Sequence, residues 1–473
     1  MRFACFIVLL LILRITTTQA DDCPEGVAVH VVPSVVSSQE PASVHKVLNA
    51  CQFVESLGAR HGFFNQSHDG SLGKGVVARY SSLRRSALQR RYVDTSPEAG
   101  DRSANVHFRN HFNNSWFAFA SKKKGTVAFI GGSITEMSGY RVMVEENLRR
   151  RFPDTNFKFV NAGISSTCST TGAHRMSRDV LSAQPDLVFV EFAVNDDQDA
   201  SHADRECRRG MEGILRQARV TNPAMDMVVT HFVNPPMLAL LKQKKTPVSS
   251  AAHETVAAHY GVSTIDLARE VAERIQADQL TWETYGGTHP KPAGNRIAAD
   301  MIEQLFDAAW ADAEQLEQRK PIAHKQVSAL DPASYSQGAL ISGAKADCDS
   351  AWAFAVPAWD SIPGGKRGRF TELEMLCTND ANAELTLDFD GQAIGLYVLA
   401  GPDAGRVEYS IDGGDFKMAE LFHRFSKGLH YPRTVMLATG LKRGAHRLTM
   451  RVAKSSHQAS KGNAVRILEF VAN

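Results

Sequence analysis

The stretch Thr126-Val-Ala-Phe-Ile-Gly-Gly-Ser-Ile-Thr135 decides the fold of this chain. Its first five residues form a short, continuous apolar run, which is typical of a strand covered on both faces of a parallel sheet. Gly131 and Gly132 then allow a tight turn, and Ser133 stands where the strand passes into a helix. Such turns hold ligands in α/β folds, because backbone N–H groups and a helix N-terminus meet there.

The alternation of apolar runs and helical patterns continues over residues 105–315. The predicted strands are Thr126–Ile130, Phe157–Asn161, Leu187–Val194, Met227–Val233 and Val262–Ile265. Between them lie amphipathic helical patterns, for example Tyr140–Arg151, Ala203–Val220 and Ala251–His259. This alternation predicts an α/β domain with a doubly wound parallel sheet, whose functional site lies at the carboxyl ends of the strands.

The C-terminal third of the chain has a different character. Residues 316–338 are mostly polar and lose the periodicity, so we place a linker there. Short strand patterns separated by Gly-rich turns then predict an all-β sandwich or jelly roll over 339–473. The predicted strands include Ala383–Phe389, Ala393–Leu399, Val407–Ile411, Thr434–Ala438 and His446–Val452. Aromatic residues in this domain either form a sugar-stacking face or, as we favour, belong to its core: Trp352, Trp359, Tyr397 and Phe422.

The N-terminus has the pattern of a secretory signal peptide over residues 1–20. A basic residue, the apolar run Phe3–Leu13 and the small-residue end Thr18-Gln19-Ala20 support this prediction. An uncleaved anchor is the alternative, and no later segment is apolar enough to span a membrane. We therefore expect a secreted or extracytoplasmic protein without stable membrane insertion. Residues 21–104 show no clear period, and we expect part of this region to be disordered.

Cysteine content and charge limit the partners and cofactors. Without the signal peptide six cysteines remain, and their spacing favours the disulfides Cys23–Cys51, Cys168–Cys207 and Cys348–Cys377. No C-x-x-C pattern occurs, so we expect neither a metal nor another cofactor. The formal net charge of +2 gives no reason to expect a nucleic-acid partner. The oligomeric state is not indicated.

Four segments at predicted strand ends supply the groups that serine-based ester hydrolysis requires. Ser133 offers a nucleophile and His289 a base. The N–H of Ser133, the N–H of Gly163 and the side chain of Asn195 are suited to bind one oxyanion. The alternative for Ser133 is a helix cap, since serine is favoured there. We favour catalysis because all four segments follow in order on the expected elements.

These segments resemble the motif blocks of the SGNH hydrolase superfamily, the GDSL-type esterases. Gly131-Gly132-Ser133 stands for the usual Gly-Asp-Ser, and Gly163 matches the glycine of the second block. Ala193-Val194-Asn195-Asp196 keeps the Asn-Asp pair of the third block, and His289-Pro290 keeps the end of the fifth. The resemblance covers about residues 105–315 and implies a flavodoxin-like core with Ser133 and His289 as catalytic residues.

One residue of the family pattern is missing. Gly286 stands where the family has the aspartate that orients the catalytic histidine. Glu283 is one replacement, and Asp196 or another loop carboxylate is a second. The third is a backbone carbonyl, which leaves a Ser–His dyad as in some carbohydrate esterases of the superfamily.

Competing functions are distinguished by further sequence features. The α/β-hydrolase elbow G-x-S-x-G is not present, because Thr135 takes the place of the last glycine. A predicted export signal and a C-terminal sandwich resembling galactose-binding modules favour a secreted esterase that removes O-acetyl groups from carbohydrate. The alternatives are a non-catalytic carbohydrate-binding or surface protein with a degenerate site, and a lipid or lysophospholipid esterase.

Overall fold

The computed structural model describes residues 103–317 and 320–473, which belong to one compact unit, Pro97–Asn473. The predicted signal peptide (1–20), nearly all of the N-terminal region (21–104) and the expected Cys23–Cys51 pair lie outside the described residues. Within the described part of the chain, no helix combines the length and apolar character needed to cross a membrane.

A six-stranded sheet forms the centre of the first part of the structure. Its strands are β1 (Val106–His107), β2 (Lys124–Gly131), β3 (Asn156–Gly163), β4 (Leu187–Glu191), β5 (Asp226–Thr230) and β6 (Ser263–Ile265). They lie in the order β1-β6-β5-β4-β2-β3, with every pair parallel except the antiparallel edge pair of β1 and β6. The parallel strands have the doubly wound, flavodoxin-like order, which confirms the predicted fold class.

Helices connect these strands on both faces of the sheet. They are α1 (Asn113–Trp116), α2 (Ser133–Glu136), α3 (Tyr140–Arg151), α4 (Ser169–Asp179), α5 (Ala193–Gln198), α6 (Asp204–Thr221), α7 (Pro235–Lys242), α8 (Val248–His259), α9 (Leu267–Gln276), α10 (Trp282–Tyr285), α11 (Pro292–Ala309) and α12 (Ala313–Glu317). A π-helical turn, Phe117–Ser121, precedes β2.

The apolar runs form strands because both faces of the sheet are covered. In β2, Val127 and Phe129 pack into one hydrophobic cluster, while Ala128 and Ile130 pack into another on the opposite face. All residues of β4 are buried. Because β2 to β6 are parallel, their carboxyl ends, and the turns that follow them, lie at one edge of the sheet.

The second part is an antiparallel β-sandwich with its own hydrophobic core. Its strands are β7 (Ala339–Ser342), β8 (Asp347–Cys348), β9 (Ala353–Ala355), β10 (Met375–Thr378), β11 (Glu384–Ala400), β12 (Arg406–Ile411), β13 (Lys417–Glu420), β14 (Tyr431–Val452) and β15 (Val465–Ala472); the short helix α13 (Gly368–Thr371) precedes β10. The segments predicted as two separate strands form the long β11, and the same holds for β14. A register shift after Gly391 takes the place of the expected turn.

Most of the aromatic residues considered for sugar stacking lie inside the sandwich. Trp352, Tyr397 and Phe422 are buried, and Trp359 is half-buried against His430. The core interpretation of the first three is therefore the one that the structure supports.

The polar segment 320–338, predicted as part of a linker, contains no helix or strand and packs against the α/β sheet. His324 is buried and lies 2.7 Å from Asp226 of β5. Tyr335 is also fully buried, and its hydroxyl donates a hydrogen bond to Glu206 at 2.5 Å. The segment is thus a docked connection between the two parts.

The expected disulfides Cys168–Cys207 and Cys348–Cys377 are wrong, because all four are free thiols. Cys168 and Cys207 each lie within 4.8 Å of a carboxylate oxygen of Asp196 and make separate contacts, with a hydroxyl and a backbone carbonyl respectively. Cys348 lies in β8 and Cys377 in β10, and these two strands do not pair with each other.

Candidate active site

Ser133 and His289 meet at the carboxyl edge of the sheet. Ser133 is the first residue of α2, and its Oγ lies 2.8 Å from His289 Nε2. The Ser133 side chain does not cap the helix, because Gly132 occupies the cap position. If the hydroxyl donates to Nε2, the ring proton of a neutral His289 resides on Nδ1. This arrangement suits a nucleophile activated by an adjacent base.

A tight loop positions His289. Helix α10 ends at Tyr285 with Gly286 as its C-cap, and Gly286 and Gly287 have positive φ angles of 110° and 90°. Asn295 fixes the far side of the loop: its Nδ2 donates to the carbonyl of Pro290 at 2.7 Å, and its Oδ1 accepts from Tyr140 N–H at 2.8 Å. The loop is thereby joined to helix α3, which follows the nucleophile.

The backbone at Gly286 explains why the family aspartate is missing. A Cβ at this position would lie 2.1 Å from the backbone nitrogen of Lys291, and the φ of 110° is unfavourable for any L side chain. An aspartate therefore does not fit this loop conformation. Glu283 is exposed and has no hydrogen bond or ion pair among the described residues. In the described part of the chain, no carboxylate lies within ion-pair distance of His289.

Asp196, the other carboxylate considered, belongs to a separate buried network. It accepts hydrogen bonds from Ser169 N–H at 2.7 Å and Ser169 Oγ at 2.6 Å, and its Oδ2 lies 2.9 Å from His253 Nε2. Burial would raise the pKa of Asp196, but the neighbouring imidazoles of His202 and His253 outweigh it and hold that pKa below its usual range. The structure does not bring Asp196 to His289.

Asn195 lies directly against the nucleophile turn. A Cβ on Gly132 would be only 2.0 Å from Asn195 Oδ1, so the amide occupies the space that any side chain at residue 132 would need. Asn195 Nδ2 donates one hydrogen bond to Asp199 Oδ2 at 2.6 Å. Its second N–H remains for another acceptor. Residue 132 is therefore glycine, where the family has aspartate, because the Asn195 amide fills the space beside it.

Gly163 lies against the other side of the nucleophile helix. A Cβ on Gly163 would meet the backbone nitrogen of Glu136 at 2.3 Å, so only glycine allows α2 to approach β3 this closely. The N–H of Gly163 donates to Asn161 Oδ1 at 3.0 Å. To serve as an oxyanion donor, this N–H must either bind Asn161 Oδ1 and the oxyanion together or release Asn161 Oδ1 when the oxyanion forms.

Glu191 at the end of β4 is a feature that the sequence reasoning did not use. It is fully buried, and its Oε2 lies 3.3 Å from the hydroxyl of Thr135 in the nucleophile helix. Burial raises the pKa of Glu191 to about 8, against the smaller opposing effects of hydrogen bonds from Thr135 and the Gly132 backbone. An ionisable residue within an otherwise apolar strand was the signal available in the sequence.

Asp199 and Tyr431 were missed for a different reason. Tyr431, in β14, donates to Asp199 Oδ1 at 2.7 Å, although the two residues are 232 positions apart. Both line a cavity of about 230 Å³ that also borders Ser166 but neither Ser133 nor His289. Asp199 follows Asn195 by four residues, which is the spacing of neighbours on one helix face. No sequence signal connects Asp199 to the sandwich.

Two solved structures share both parts of this architecture. They are crystal structures of a two-domain esterase, CEX, active on acetylated mannans, one of them co-crystallized with mannopentaose. Each matches with a TM-score of 0.62 over 78% of this chain; identities are 17% and 19%, and 96% and 97% of the other chains are covered. At these identities the likeness establishes a shared fold. A comparison with curated proteins gives no match.

The sequence match to a protein family covers the elements that carry the site. Residues 129–297 match the GDSL-like lipase/acylhydrolase family, and this range includes Ser133, Gly163, Asn195 and His289. The resemblance to SGNH hydrolases is confirmed at the level of this domain. The α/β part of the chain thus contains a match to a GDSL-like lipase/acylhydrolase domain, which supports a carboxylic ester hydrolase.

Proposed function

We propose that this protein is a secreted serine esterase that removes O-acetyl groups from carbohydrate, with Ser133 and His289 acting as a catalytic dyad. The contact that carries the proposal is the 2.8 Å distance between Ser133 Oγ and His289 Nε2. It joins a nucleophile and a base at the carboxyl edge of a parallel sheet, where such folds bind their ligands. The dyad form is favoured because neither Glu283 nor Asp196 contacts the imidazole.

In the first half of the proposed reaction, Ser133 Oγ attacks the acetyl carbonyl carbon while His289 Nε2 accepts the hydroxyl proton. Negative charge develops on the carbonyl oxygen. The N–H of Ser133 has no acceptor within its own helix, because it is the first helical residue. Together with the Gly163 N–H and the second N–H of Asn195 Nδ2, it supplies donors for that oxyanion.

The tetrahedral intermediate then collapses, and the imidazolium returns its proton to the departing sugar oxygen. The C–O bond to the sugar breaks, and an acetyl ester on Ser133 remains. Water attacks this ester with His289 again accepting a proton, and acetate leaves as Ser133 is restored. The exposed position of His289 leaves the ring open to water at this step.

The substrate class is supported by a structural likeness and by a prediction from the sequence. The two-domain esterase with the same two-part architecture acts on acetylated mannans, and the match extends over 78% of this chain, including the sandwich. The predicted export signal agrees with a polymeric substrate outside the cytoplasm.

The direct test is acetate release from acetylated mannan and xylan oligosaccharides by the wild type, Ser133→Ala and His289→Ala. Ser138→Ala is a matched control, because Ser138 is exposed and has no hydrogen bond in the described part of the chain. We expect activity in the wild type and the control only. Preferential hydrolysis of long-chain lipid esters would contradict the carbohydrate assignment. Glycan binding without turnover would favour a non-catalytic binding protein.

A further inference from the structure

Three side chains of the β-sandwich contact the segments that carry the proposed oxyanion donors. They are Arg367, Arg369 and Tyr431, which we call the sandwich clamp. Arg367 and Arg369 reach the loop that begins at Gly163, and Tyr431 reaches Asp199, the residue that follows the helix containing Asn195. The clamp therefore joins the sandwich to the segments around two of the proposed donors, Gly163 and Asn195.

Arg369 connects the Gly163 loop to the nucleophile helix. Its Nη1 donates to the carbonyl of Gly163 at 2.9 Å and lies 3.0 Å from Glu136 Oε1. Glu136 is the last residue of α2, the helix that begins with Ser133. The same carboxylate accepts hydrogen bonds from the backbone N–H of Ser165, at 2.8 Å, and from its hydroxyl. One ion pair therefore joins the nucleophile helix, the Gly163 loop and the sandwich.

Arg367 fixes the next part of the same loop. Its Nη1 donates to the carbonyl of Ser165 at 3.0 Å, and its Nη2 donates to Ser166 Oγ at 2.9 Å. Ser166 has a φ of 72°, a left-handed conformation that is uncommon for serine. Such conformations persist where the surroundings hold them in place. Arg367 supplies part of that restraint.

Tyr431 acts on Asn195 through Asp199. Its hydroxyl donates to Asp199 Oδ1 at 2.7 Å, while Asn195 Nδ2 donates to Asp199 Oδ2 at 2.6 Å. An ionised carboxylate only accepts hydrogen bonds, so it keeps the NH2 group of the amide, rather than its oxygen, on this side. A fixed carboxylate therefore fixes both the place and the orientation of the Asn195 amide.

We propose that the β-sandwich contributes to catalysis, because the clamp positions the oxyanion donors. Arg367, Arg369 and Tyr431 are positioning residues, because they act through the Gly163 loop and Asn195. The proposal rests on the proposed esterase function. It assigns the sandwich a role in the turnover number that is separate from any binding of carbohydrate by that domain.

The test compares hydrogen bonds that cross between the same two domains. Tyr431→Phe removes the bond to Asp199. Its control, Thr434→Val, removes the 2.8 Å bond from the same strand to Thr171 on α4, a helix that carries none of the proposed donors. A misplaced donor lowers kcat, so we expect Tyr431→Phe to reduce kcat on the order of tenfold or more. KM should stay within about twofold, and Thr434→Val should match the wild type.

A second pair keeps the test decisive if Tyr431→Phe folds poorly. Arg369→Gln removes the contacts with Gly163 and Glu136, whereas Arg178→Gln removes an interdomain ion pair with Glu469 at 2.7 Å. The first should lower kcat and the rate of Ser133 labelling by an organophosphonate, and the second should change neither.

The outcomes separate the two proposals. The clamp would be overturned if each clamp variant had the same kcat and labelling rate as its control. If Ser133→Ala still inactivated the enzyme, the esterase mechanism would remain intact. A wild type that neither turns over acetyl esters nor becomes labelled at Ser133 would overturn both.

Discussion

Replacing Gly132 by alanine should displace Asn195 and thereby remove an oxyanion donor. The new Cβ would lie 2.0 Å from Asn195 Oδ1, 2.5 Å from its Cγ and 2.7 Å from its Nδ2, whereas ordinary contacts begin at 3.4 Å. Relief of the closest contact alone requires a shift of about 1.4 Å, taken from those two distances. Asn195 has little room for this shift, since it is 2% exposed and bonded to Asp199.

The expected loss follows from the size of that shift. A displacement of about 1 Å in a catalytic group can reduce the rate on the order of a hundredfold. Removal of an oxyanion donor costs on the order of 10²- to 10³-fold in kcat. We therefore expect Gly132→Ala to approach the effect of Asn195→Ala, for which we expect a loss of on the order of a hundredfold.

The assay is the initial rate of acetate release at saturating substrate, with thermal unfolding measured in parallel. Gly428→Ala is the control, because a Cβ there meets no atom within 4 Å and its φ is −134°. A Gly132→Ala enzyme with wild-type kcat, beside an impaired Asn195→Ala enzyme, would refute the steric reasoning. An unchanged kcat in Asn195→Ala would remove the oxyanion role of that side chain.

Two further predictions concern buried carboxylates. Burial raises the pKa of Glu191 to about 8 in the folded protein, from the ordinary value of 4.5 that applies in the unfolded chain. Between these two pH values the folded state holds a proton that the unfolded state has lost. The contribution of Glu191 to stability is therefore complete below pH 4.5 and is lost as the pH rises to about 8. The free energy of unfolding of Glu191→Gln relative to wild type should therefore increase between pH 5 and about 8, and parallel urea-unfolding profiles would contradict this. Asp226→Ala should cost about 3 kcal/mol in urea unfolding, because it leaves the buried Ser115 N–H and His324 Nε2 without their acceptor. The exposed ion-pair control Asp154→Ala should change stability little, and an equal loss in both would show that burial is not the cause.

The alternating architecture was predictable because the sheet is covered on both faces. Continuous apolar runs then mark the strands, and helix α3 has the predicted bounds Tyr140–Arg151. Strand β1 escaped prediction because two residues, Val106–His107, carry no period. In the sandwich, Asp390-Gly391 resembled a hairpin turn, but Gly391 has a φ of 151° and lies at a register shift within one strand.

The motif residues of the candidate site were visible in the sequence, whereas their support was not. Ser133, Gly163, Asn195 and His289 each follow a recognisable strand or turn, and the fold brings Ser133 to His289 across 156 positions. The clamp contacts span 201 to 233 positions and join two domains. Such contacts depend on how the domains pack, which local patterns do not encode.

The conformation at Gly286 illustrates the same limit. The sequence showed that the aspartate was missing, and it left three replacements open. The positive φ and the close approach of Lys291 give the reason for the glycine. Only the arrangement of the loop in space showed that Glu283 and Asp196 both lie out of contact with His289.

The measurement that tests the central claim most directly is labelling by an organophosphonate, followed by peptide mass spectrometry and assayed alongside acetate release. The proposed mechanism predicts one modified residue, Ser133, and a loss of activity in proportion to the modified fraction. His289→Ala should be labelled far more slowly, because the serine has lost its base. Full acetate release by protein modified at Ser133, or by Ser133→Ala, would contradict the account.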